Sequence, residues 1–259
     1  MGELVLKDKT KSFARIDKDG ITHALGNINI TIEQGEFISI VGASGCGKST
    51  MLRLIAGLIP PTSGEIILDG QAISGTSPDR GMVFQSPTLF PWLTVRQNVA
   101  FGLKVQKKND QLHRVDELIN MIGLKEFADS YPNQLSGGMA QRVSLIRTMI
   151  NEPEVFLLDE PLGALDAFTR MNIQDELIDM WRKGNSTMIM VTHDVDEAIY
   201  MSTKVIIMGP NPGHIIEVLD IDMPMGDRNR ISDQFIEYRK HIMDKLNMGH
   251  NKKMKEDRR

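Results

Sequence analysis

Short apolar runs alternate along the chain with longer segments of helical period, and each apolar run ends at a polar or glycine-rich turn. Apolar runs without polar alternation are typical of strands that are buried on both faces of a parallel sheet. The pattern predicts five such strands, at residues 36–41, 81–84, 155–158, 187–191 and 204–208. It therefore indicates an α/β fold with a mainly parallel sheet.

Other segments have a different period. Residues 3–7, 24–32 and 64–68 read as antiparallel strands with one solvent-facing side, which would form a layer beside the main sheet. Apolar residues at helical spacing predict a helical insertion at 86–150, and residues 232–246 predict one amphipathic helix. We expect residues 251–259, which are mostly charged, to be disordered. The division that follows is one unit at 1–223, with its core and antiparallel layer at 1–85 and 151–223, and a C-terminal helix and charged tail at 224–259.

Composition excludes several classes of protein. The 259 residues carry 30 Lys+Arg against 34 Asp+Glu, a formal net charge of -4, so no global basic field attracts nucleic acid. The single cysteine excludes an intrachain disulfide and a multi-thiolate zinc site, and it fits a reducing compartment. The charged start lacks the apolar stretch of a secretory signal, and no apolar run approaches the roughly 20 residues of a membrane helix. We expect a cytosolic-type chain that needs a partner for any membrane-spanning role.

Residues 42–49 match the pattern G-x-x-x-x-G-K-[ST] between a predicted strand and a predicted helix. Glycines let backbone N–H groups surround phosphate oxygens, and the helix N-terminus adds a positive dipole. Lys48 would supply charge to the β- and γ-phosphates, Ser49 the hydroxyl ligand of Mg²⁺, and Cys46 only its backbone. The residues expected at the nucleotide are Gly42, Ala43, Ser44, Gly45, Cys46, Gly47, Lys48, Ser49 and Thr50. The alternative is a glycine-rich turn that only caps a helix.

Polar side chains follow three more predicted strands. Asp159 and Glu160 come directly after the strand at 155–158; Asp159 is expected in the Mg²⁺ shell, and Glu160 would orient and deprotonate the attacking water. His193 would contact the γ-phosphate as a neutral imidazole, and Gln85 would join the Mg²⁺ or water shell. Because the carboxyl ends of parallel strands meet at one edge, we expect these groups to converge on the phosphate loop. Taken singly, each also fits an ordinary strand end or a surface position.

A second anion-type site precedes the helix predicted at 140–150. Ser136 can cap this helix, and the N–H groups of Gly137 and Gly138 add donors at its N-terminus. Each glycine inside a helix costs about 1 kcal/mol relative to alanine, so the pair indicates close approach by a ligand or backbone. Two phosphate-type sites on one chain require an explanation.

The order of five motifs supplies one. The phosphate loop, Leu-Ser-Gly-Gly, Leu-Leu-Asp-Glu-Pro, Ala-Leu-Asp and Thr-His-Asp resemble the ATPase cassette of ABC transporters over nearly the whole chain. The resemblance implies a P-loop NTPase core with a flanking antiparallel β layer and a helical subdomain. It also implies a head-to-tail homodimer, in which the phosphate loop of one copy and the signature helix of the other enclose the same ATP.

The resemblance assigns further roles. It places Asp166, within residues 163–166, on the loop that crosses the dimer interface, and Gln85 on the loop that links nucleotide to a transmembrane partner. Phe13 falls where the family stacks an aromatic ring on adenine. The signature residues expected at the partner's nucleotide are Ser136, Gly137, Gly138 and Met139.

Met139 stands where many members of the family have Gln, and residues 84–95, 162–170 and 192–198 follow the same trend. In these respects the chain resembles cassettes of importers for nitrate, sulfonates, taurine and related small molecules. The resemblance implies ATP and Mg²⁺ as cofactors and a separate transmembrane permease. It further implies an extracytoplasmic solute-binding protein that acts indirectly, no nucleic-acid partner, and a peripheral location on the cytoplasmic face of the membrane.

Two other functions remain as alternatives. A soluble cassette protein that acts on ribosomes or DNA ends usually has two cassettes in one chain or a long coiled coil between the phosphate loop and the signature helix, and this sequence has neither. A small-molecule kinase with a P-loop would need an acceptor pocket and a lid, and it gives no reason for the Leu-Ser-Gly-Gly or Ala-Leu-Asp motifs. We therefore expect the ATP-hydrolysing subunit of an importer.

Overall fold

The computed structural model describes residues 3–15, 20–163, 165–184, 186–210, 212–225 and 228–256. Its strands are Leu4–Ala14 (β1), Ile21–Ile32 (β2), Phe37–Gly42 (β3), Ser63–Leu68 (β4), Gln71–Ala72 (β5), Arg80–Val83 (β6), Val155–Asp159 (β7), Thr187–Val191 (β8), Lys204–Gly209 (β9) and His214–Asp220 (β10). Its α-helices are Lys48–Ile55 (α1), Val95–Val105 (α2), Arg114–Met121 (α3), Gly137–Met149 (α4), Ala167–Lys183 (α5), Val195–Met201 (α6) and Asp233–Glu256 (α7). Short 3₁₀ helices lie at Asn109–Gln111, Lys125–Phe127 and Pro132–Gln134.

The larger sheet has the strand order β10-β9-β3-β8-β7-β6. Neighbouring strands are parallel from β9 to β6, and β10 pairs antiparallel with β9 at the edge. Every residue of β7 and β8 is buried, as the continuous apolar runs predict. The α/β fold with a mainly parallel sheet is therefore confirmed. Strand β10 was not predicted, because its side chains are mostly half-buried or exposed at an edge and form no core run.

The smaller sheet is antiparallel, with the order β2-β1-β4-β5. Its inner face and the larger sheet enclose one core, to which Leu4 and Leu6 of β1, Ile28 of β2 and Met51 of α1 contribute. The β1–β2 hairpin is longer than the sequence pattern predicts, since β1 continues to Ala14. This layer sets β2 against the loop between β3 and α1.

Helices α2, α3 and α4 follow one another between β6 and β7 and pack around a separate core. Val99 of α2, Ile119 of α3 and Val143 of α4 are among its buried residues. Gln141, a buried side chain on α4, donates through Nε2 to the carbonyl of Phe84 at 3.1 Å. The helical layer is therefore tied to the residue that precedes Gln85.

Helices α6 and α7 cover the larger sheet, where Phe235 and Ile242 of α7 join the buried residues Ile199 and Ile207. Helix α7 continues to Glu256, so the expectation of disorder was wrong for residues 251–256, and residues 257–259 lie outside the described part. Lys and Glu are good helix formers, and cations near a helix C-terminus offset the dipole, which favours continuation. Neither α7 nor any other helix in the described residues is long and apolar enough to cross a membrane.

Candidate nucleotide site

The loop between β3 and α1 requires glycine at two positions. Gly47 has φ +96°, and a Cβ there would lie 2.5 Å from Leu25 Cδ2 of β2. A Cβ at Gly42 would lie 2.7 Å from Cys46 Sγ and 2.8 Å from the carbonyl oxygen of Met208. All three distances are shorter than real Cβ contacts, so neighbouring atoms of the same chain require glycine at both positions. The loop is thus held between β2 and β9 with its backbone at the carboxyl end of β3.

The first residues of α1 carry the charges of the site. Lys48 is buried, and its Nζ donates to the carbonyl of Gly42 at 2.8 Å and to that of Ala43 at 3.1 Å. Ser49 Oγ donates to Asp159 Oδ1 at 2.8 Å, which joins α1 to the end of β7. Burial raises the pKa of Asp159, and the hydrogen bond from Ser49 opposes that shift. A desolvated carboxylate beside a hydroxyl is a donor set that fits Mg²⁺.

Glu160 meets two of the other predicted site residues. Gln85 Nε2 donates to Glu160 Oε2 at 2.8 Å, and His193 Nδ1 lies 3.5 Å from the same oxygen. Glu160 has φ +47°, and its N–H donates to the carbonyl of Val191 at 2.9 Å. A non-glycine residue in this conformation is strained by about 1–3 kcal/mol, and such strain is concentrated at functional sites. The ends of β6, β7 and β8 therefore bring an amide, a carboxylate and an imidazole together.

The segment after Gln85 has a fixed shape. The buried Asn98 of α2 accepts from the N–H of Phe90 at 2.8 Å and donates to three carbonyls of the same segment. The guanidinium of Arg147 lies 4.3 Å from the centre of the Phe90 ring, and Trp92 stacks on that ring while remaining 70% exposed. The Gln85 side chain, within the described residues, bonds to Glu160 and not to Ser49 or Asp159. This segment therefore begins at a residue bonded to Glu160 and carries an exposed aromatic side chain, Trp92, further along.

The second anion-type site is the N-terminus of α4. The helix begins at Gly137, three residues before its predicted start, and Ser136 Oγ caps it by accepting from the N–H of Met139 at 3.2 Å. A Cβ at Gly137 would meet no heavy atom within 4 Å in the described part of the chain. The Met139 side chain packs on the core of the helical layer, so only its backbone faces this helix start.

Asp166 and Phe13 make no hydrogen bond or ion pair with Gln85, Glu160 or His193 among the described residues. Asp166 caps α5, since its carboxylate accepts from the N–H of Thr169 at 3.0 Å, and hydrogen bonding at Thr169 lowers its pKa. Phe13 is 40% exposed on β1, and the ammonium of Lys11 lies 4.7 Å from its ring centre. No hydrogen bond or ion pair among the described residues joins Phe13, Asp166 or Ser136 to the phosphate loop. Ala164, within the predicted dimer loop, lies outside the described residues.

Sequence reasoning missed three side chains beside His193. Thr192 Oγ1 donates to Glu197 Oε2 at 2.7 Å in a buried contact, and Glu197 Oε1 lies 3.6 Å from Arg170 Nε. Glu197 stands in the first turn of α6, where an acid is ordinarily read as a solvated partner of the helix dipole. Its burial depends on α5, which is distant in sequence, so no local pattern indicates it.

The chain is similar to known proteins over most of its length. A family model described as ABC transporter matches residues 25–163. The chain is 49% identical over 225 residues to an uncharacterized ABC transporter ATP-binding protein of Methanocaldococcus jannaschii, covering 86% of this chain and 84% of that protein. It is 43% identical over 244 residues to the aliphatic sulfonates import ATP-binding protein SsuB of Bacillus cereus, covering 94% and 96%.

Solved structures give the same answer for the fold. The chain is similar to an ATP-binding cassette whose dimeric structure shows a post-hydrolysis state bound to ADP and Pi, with a TM-score of 0.76 and 33% identity. This similarity covers 85% of the present chain and 100% of the other. The sequence matches reach well beyond the phosphate loop and include the helical layer. The chain therefore belongs to the ABC transporter family, in which it is an ATP-binding cassette that hydrolyses ATP.

Proposed function

We propose that this chain is the ATPase subunit of an ABC importer for aliphatic sulfonates or a related small solute, such as nitrate or taurine. The convergence of Lys48, the Ser49–Asp159 pair and Glu160 on one sheet edge carries the ATPase part of the proposal. The solute class is supported by the similarity to SsuB, which extends over 94% of the chain. Residues 1–223 would form one cassette with its helical subdomain at 86–150, and residues 224–259 a C-terminal extension.

Residues 42–50 would bind the phosphates of ATP. Gly42 and Gly47 hold the loop backbone close to β2 and β9, and N–H groups of the loop and of the α1 N-terminus would donate to the phosphate oxygens. Lys48 already lies along the loop carbonyls, so its charge is positioned for the β- and γ-phosphates. Phe13, an exposed ring on the hairpin that contacts the loop, would stack on the adenine base.

Ser49 and Asp159 would hold Mg²⁺, with the Gln85 amide as a further ligand. Magnesium binds proteins through few carboxylate and hydroxyl oxygens together with substrate phosphates, and the Ser49–Asp159 pair has this chemistry. The ion would neutralise charge on the phosphate oxygens. Because Gln85 also donates to Glu160, binding of Mg²⁺ by the Gln85 amide would change the position of the Glu160 carboxylate.

Glu160 would act as the general base that takes a proton from the attacking water. Its carboxylate accepts from Gln85 Nε2 at 2.8 Å, which orients it, and lies 3.5 Å from His193 Nδ1. His193, which is mostly exposed, would turn its imidazole toward the γ-phosphate. The strained backbone at Glu160 fixes the carboxylate where the ends of β7 and β8 meet.

A second copy of the chain would complete the site. The open space around Gly137 and the exposed cap at Ser136 fit a ligand that approaches from outside the chain. In a head-to-tail dimer, Ser136, Gly137, Gly138 and the N–H of Met139 would bind the partner's ATP. Asp166, exposed at the start of α5, would lie in the interface.

The segment after Gln85 would bind the permease. Trp92 is exposed on a segment that Asn98 and Arg147 keep in one conformation, and this segment begins at a residue bonded to Glu160. Movement at Glu160 would therefore reach the permease surface through a few contacts. The chain would sit on the cytoplasmic face of the membrane as a peripheral subunit, and an extracytoplasmic solute-binding protein would act only through the permease. Co-purification in detergent with a polytopic membrane subunit tests this partner.

The Glu160→Gln variant tests the catalytic assignment. Loss of the base should lower ATP hydrolysis by roughly 10²–10⁴-fold while ATP still binds, because the phosphate loop is unchanged. Steady-state phosphate release and an ATP-binding isotherm measure the two properties separately.

Glu217→Gln is a matched control. It makes the same chemical change on β10, where the Glu217 carboxylate is paired with His241 and Lys245 of α7. This change should leave ATP hydrolysis unaltered. Near-normal turnover in Glu160→Gln would sink the general-base assignment, and loss of ATP binding would move Glu160 from catalysis to nucleotide binding.

A further inference from the structure

Glu197 is a buried acid that the hydrolytic scheme leaves without a role. It accepts from Thr192 Oγ1 at 2.7 Å, and the same hydroxyl accepts from the N–H of Asp194 at 3.0 Å. Thr192 and Asp194 are the two sequence neighbours of His193. The Thr192 hydroxyl therefore links Glu197 to the residues on both sides of this histidine. Burial raises the pKa of Glu197, and the nearby Asp194 adds to that shift. Placing an acid here carries a desolvation penalty that a neutral residue would avoid.

The cation that faces Glu197 belongs to a different loop. Arg170 lies in the first turn of α5, and its guanidinium Nη2 donates to the carbonyl of Leu165 at 3.1 Å. Its backbone N–H donates to the carbonyl of Asp166 at 2.9 Å. Arg170 therefore forms hydrogen bonds to the segment that is proposed to cross the dimer interface. Its Nε lies 3.6 Å from Glu197 Oε1, so an approach of about 0.7 Å would form a charge-assisted hydrogen bond.

We infer that Glu197 and Arg170 are positioning residues that couple the 165–166 segment of one copy to His193 of the same copy. Contact by the second copy at Asp166 would shift Arg170, and Glu197 with Thr192 would pass that shift to the residues flanking His193. The imidazole, which lies 3.5 Å from Glu160 in the single chain, would then turn toward the γ-phosphate only when the dimer is closed. This inference rests on the proposed dimer and adds a path from its interface to the chemistry.

The test compares Glu197→Gln, Arg170→Gln and the double variant in steady-state ATP hydrolysis. Gln at 197 keeps an oxygen for the Thr192 hydroxyl and removes the charge that faces Arg170. Each single change should lower kcat about tenfold with ATP Kd unchanged, since a small misplacement of a catalytic group has effects of this order. The double variant should lose no more than either single variant, because both changes break one path. Arg170→Lys, which keeps the charge, should recover part of kcat.

Asp196→Asn is the matched control. Asp196 is the neighbour of Glu197 on α6, but its carboxylate pairs with Arg239 of α7, at 2.5 and 2.6 Å, and not with α5. This change should lower the thermal midpoint and leave kcat near that of the unaltered protein. An equal loss of kcat in Asp196→Asn and Glu197→Gln would overturn the inference, as would additive losses in the double variant.

Failure of the inference differs from failure of the proposed function. If the unaltered chain hydrolyses ATP, Glu160→Gln does not, and Glu197→Gln keeps its kcat, only the positioning path is wrong. If Glu197→Gln does not fold, Arg170→Gln decides alone, because Arg170 is about one third exposed and its replacement leaves the hydrogen bond from Thr192 to Glu197 in place. Full kcat in Arg170→Gln would then overturn the inference.

Discussion

Two helices of this chain begin at glycine-rich segments, and the reasons for glycine differ between them. At α1, side chains on Gly42 or Gly47 would collide with Cys46, Met208 or Leu25 of the same chain. At α4, a side chain on Gly137 would meet nothing within 4 Å in the described residues. Contacts within the chain demand glycine at the first helix start, whereas no contact among the described residues demands it at the second, where we propose that a ligand from outside the chain binds.

The two helix starts also differ in charge. At α1, the buried Lys48 donates to the carbonyl of Gly42, and Ser49 donates to the Asp159 carboxylate. Both charged groups therefore have partners within one chain. At α4, the exposed hydroxyl of Ser136 caps the helix, and its first turn contains no acid. A half-site of backbone donors is useful only when a second surface brings the phosphates to it. The contrast supports the proposal that the two predicted phosphate-type sites are halves of one site shared between two copies.

Alanine at Gly47 should have the largest effect on the first helix start. The change places a Cβ against Leu25 and Ala24 at φ +96°, so the free energy of unfolding should fall by about 1–3 kcal/mol and ATP affinity should fall with it. Denaturant unfolding and an ATP-binding isotherm measure both. Unchanged stability together with unchanged binding would show that the loop does not depend on this glycine.

Alanine at Gly137 should separate stability from activity. Alanine is the better helix former, so the free energy of unfolding should stay the same or rise by up to about 1 kcal/mol. Turnover should fall about tenfold, since a methyl group at the helix start would displace the partner's phosphates. ATP binding to the isolated chain should be unaffected. Normal turnover in this variant would show that no ligand approaches Gly137 closely.

Alanine at Cys46 should have the smallest effect. The thiol is buried against Gly42, and burial raises its pKa, so it fills space and is a poor nucleophile. The free energy of unfolding should fall by about 1 kcal/mol for the small cavity, with turnover preserved. Phosphate release by purified Cys46→Ala checks this. A loss of turnover comparable to that of Gly47→Ala would give the thiol a role that the geometry does not show.

These predictions separate what a local sequence pattern determines from what it does not. The strand at 187–191 was predicted with its observed bounds, and the phosphate loop with its context, because apolar runs and glycine spacing are local signals. The edge strand β10 was missed because pairing with β9 defines it more than its own half-buried residues do. The Glu197–Arg170 pair was missed because its members come from different helices. The continuation of α7 to Glu256 was missed because a high density of charged residues favours disorder, whereas Lys and Glu are also good helix formers.

Mixing two inactive subunits tests most directly whether a second copy completes each nucleotide site. Lys48→Ala removes the charge of the phosphate loop, and Ser136→Arg blocks the start of α4, so each variant alone should be inactive as a dimer. In a mixed dimer, the intact loop of one subunit would face the intact α4 start of the other, which restores one working site. If two copies share each site, ATP hydrolysis in the mixture should be well above that of either variant alone. Hydrolysis no higher than that of the two separate variants would contradict a shared site.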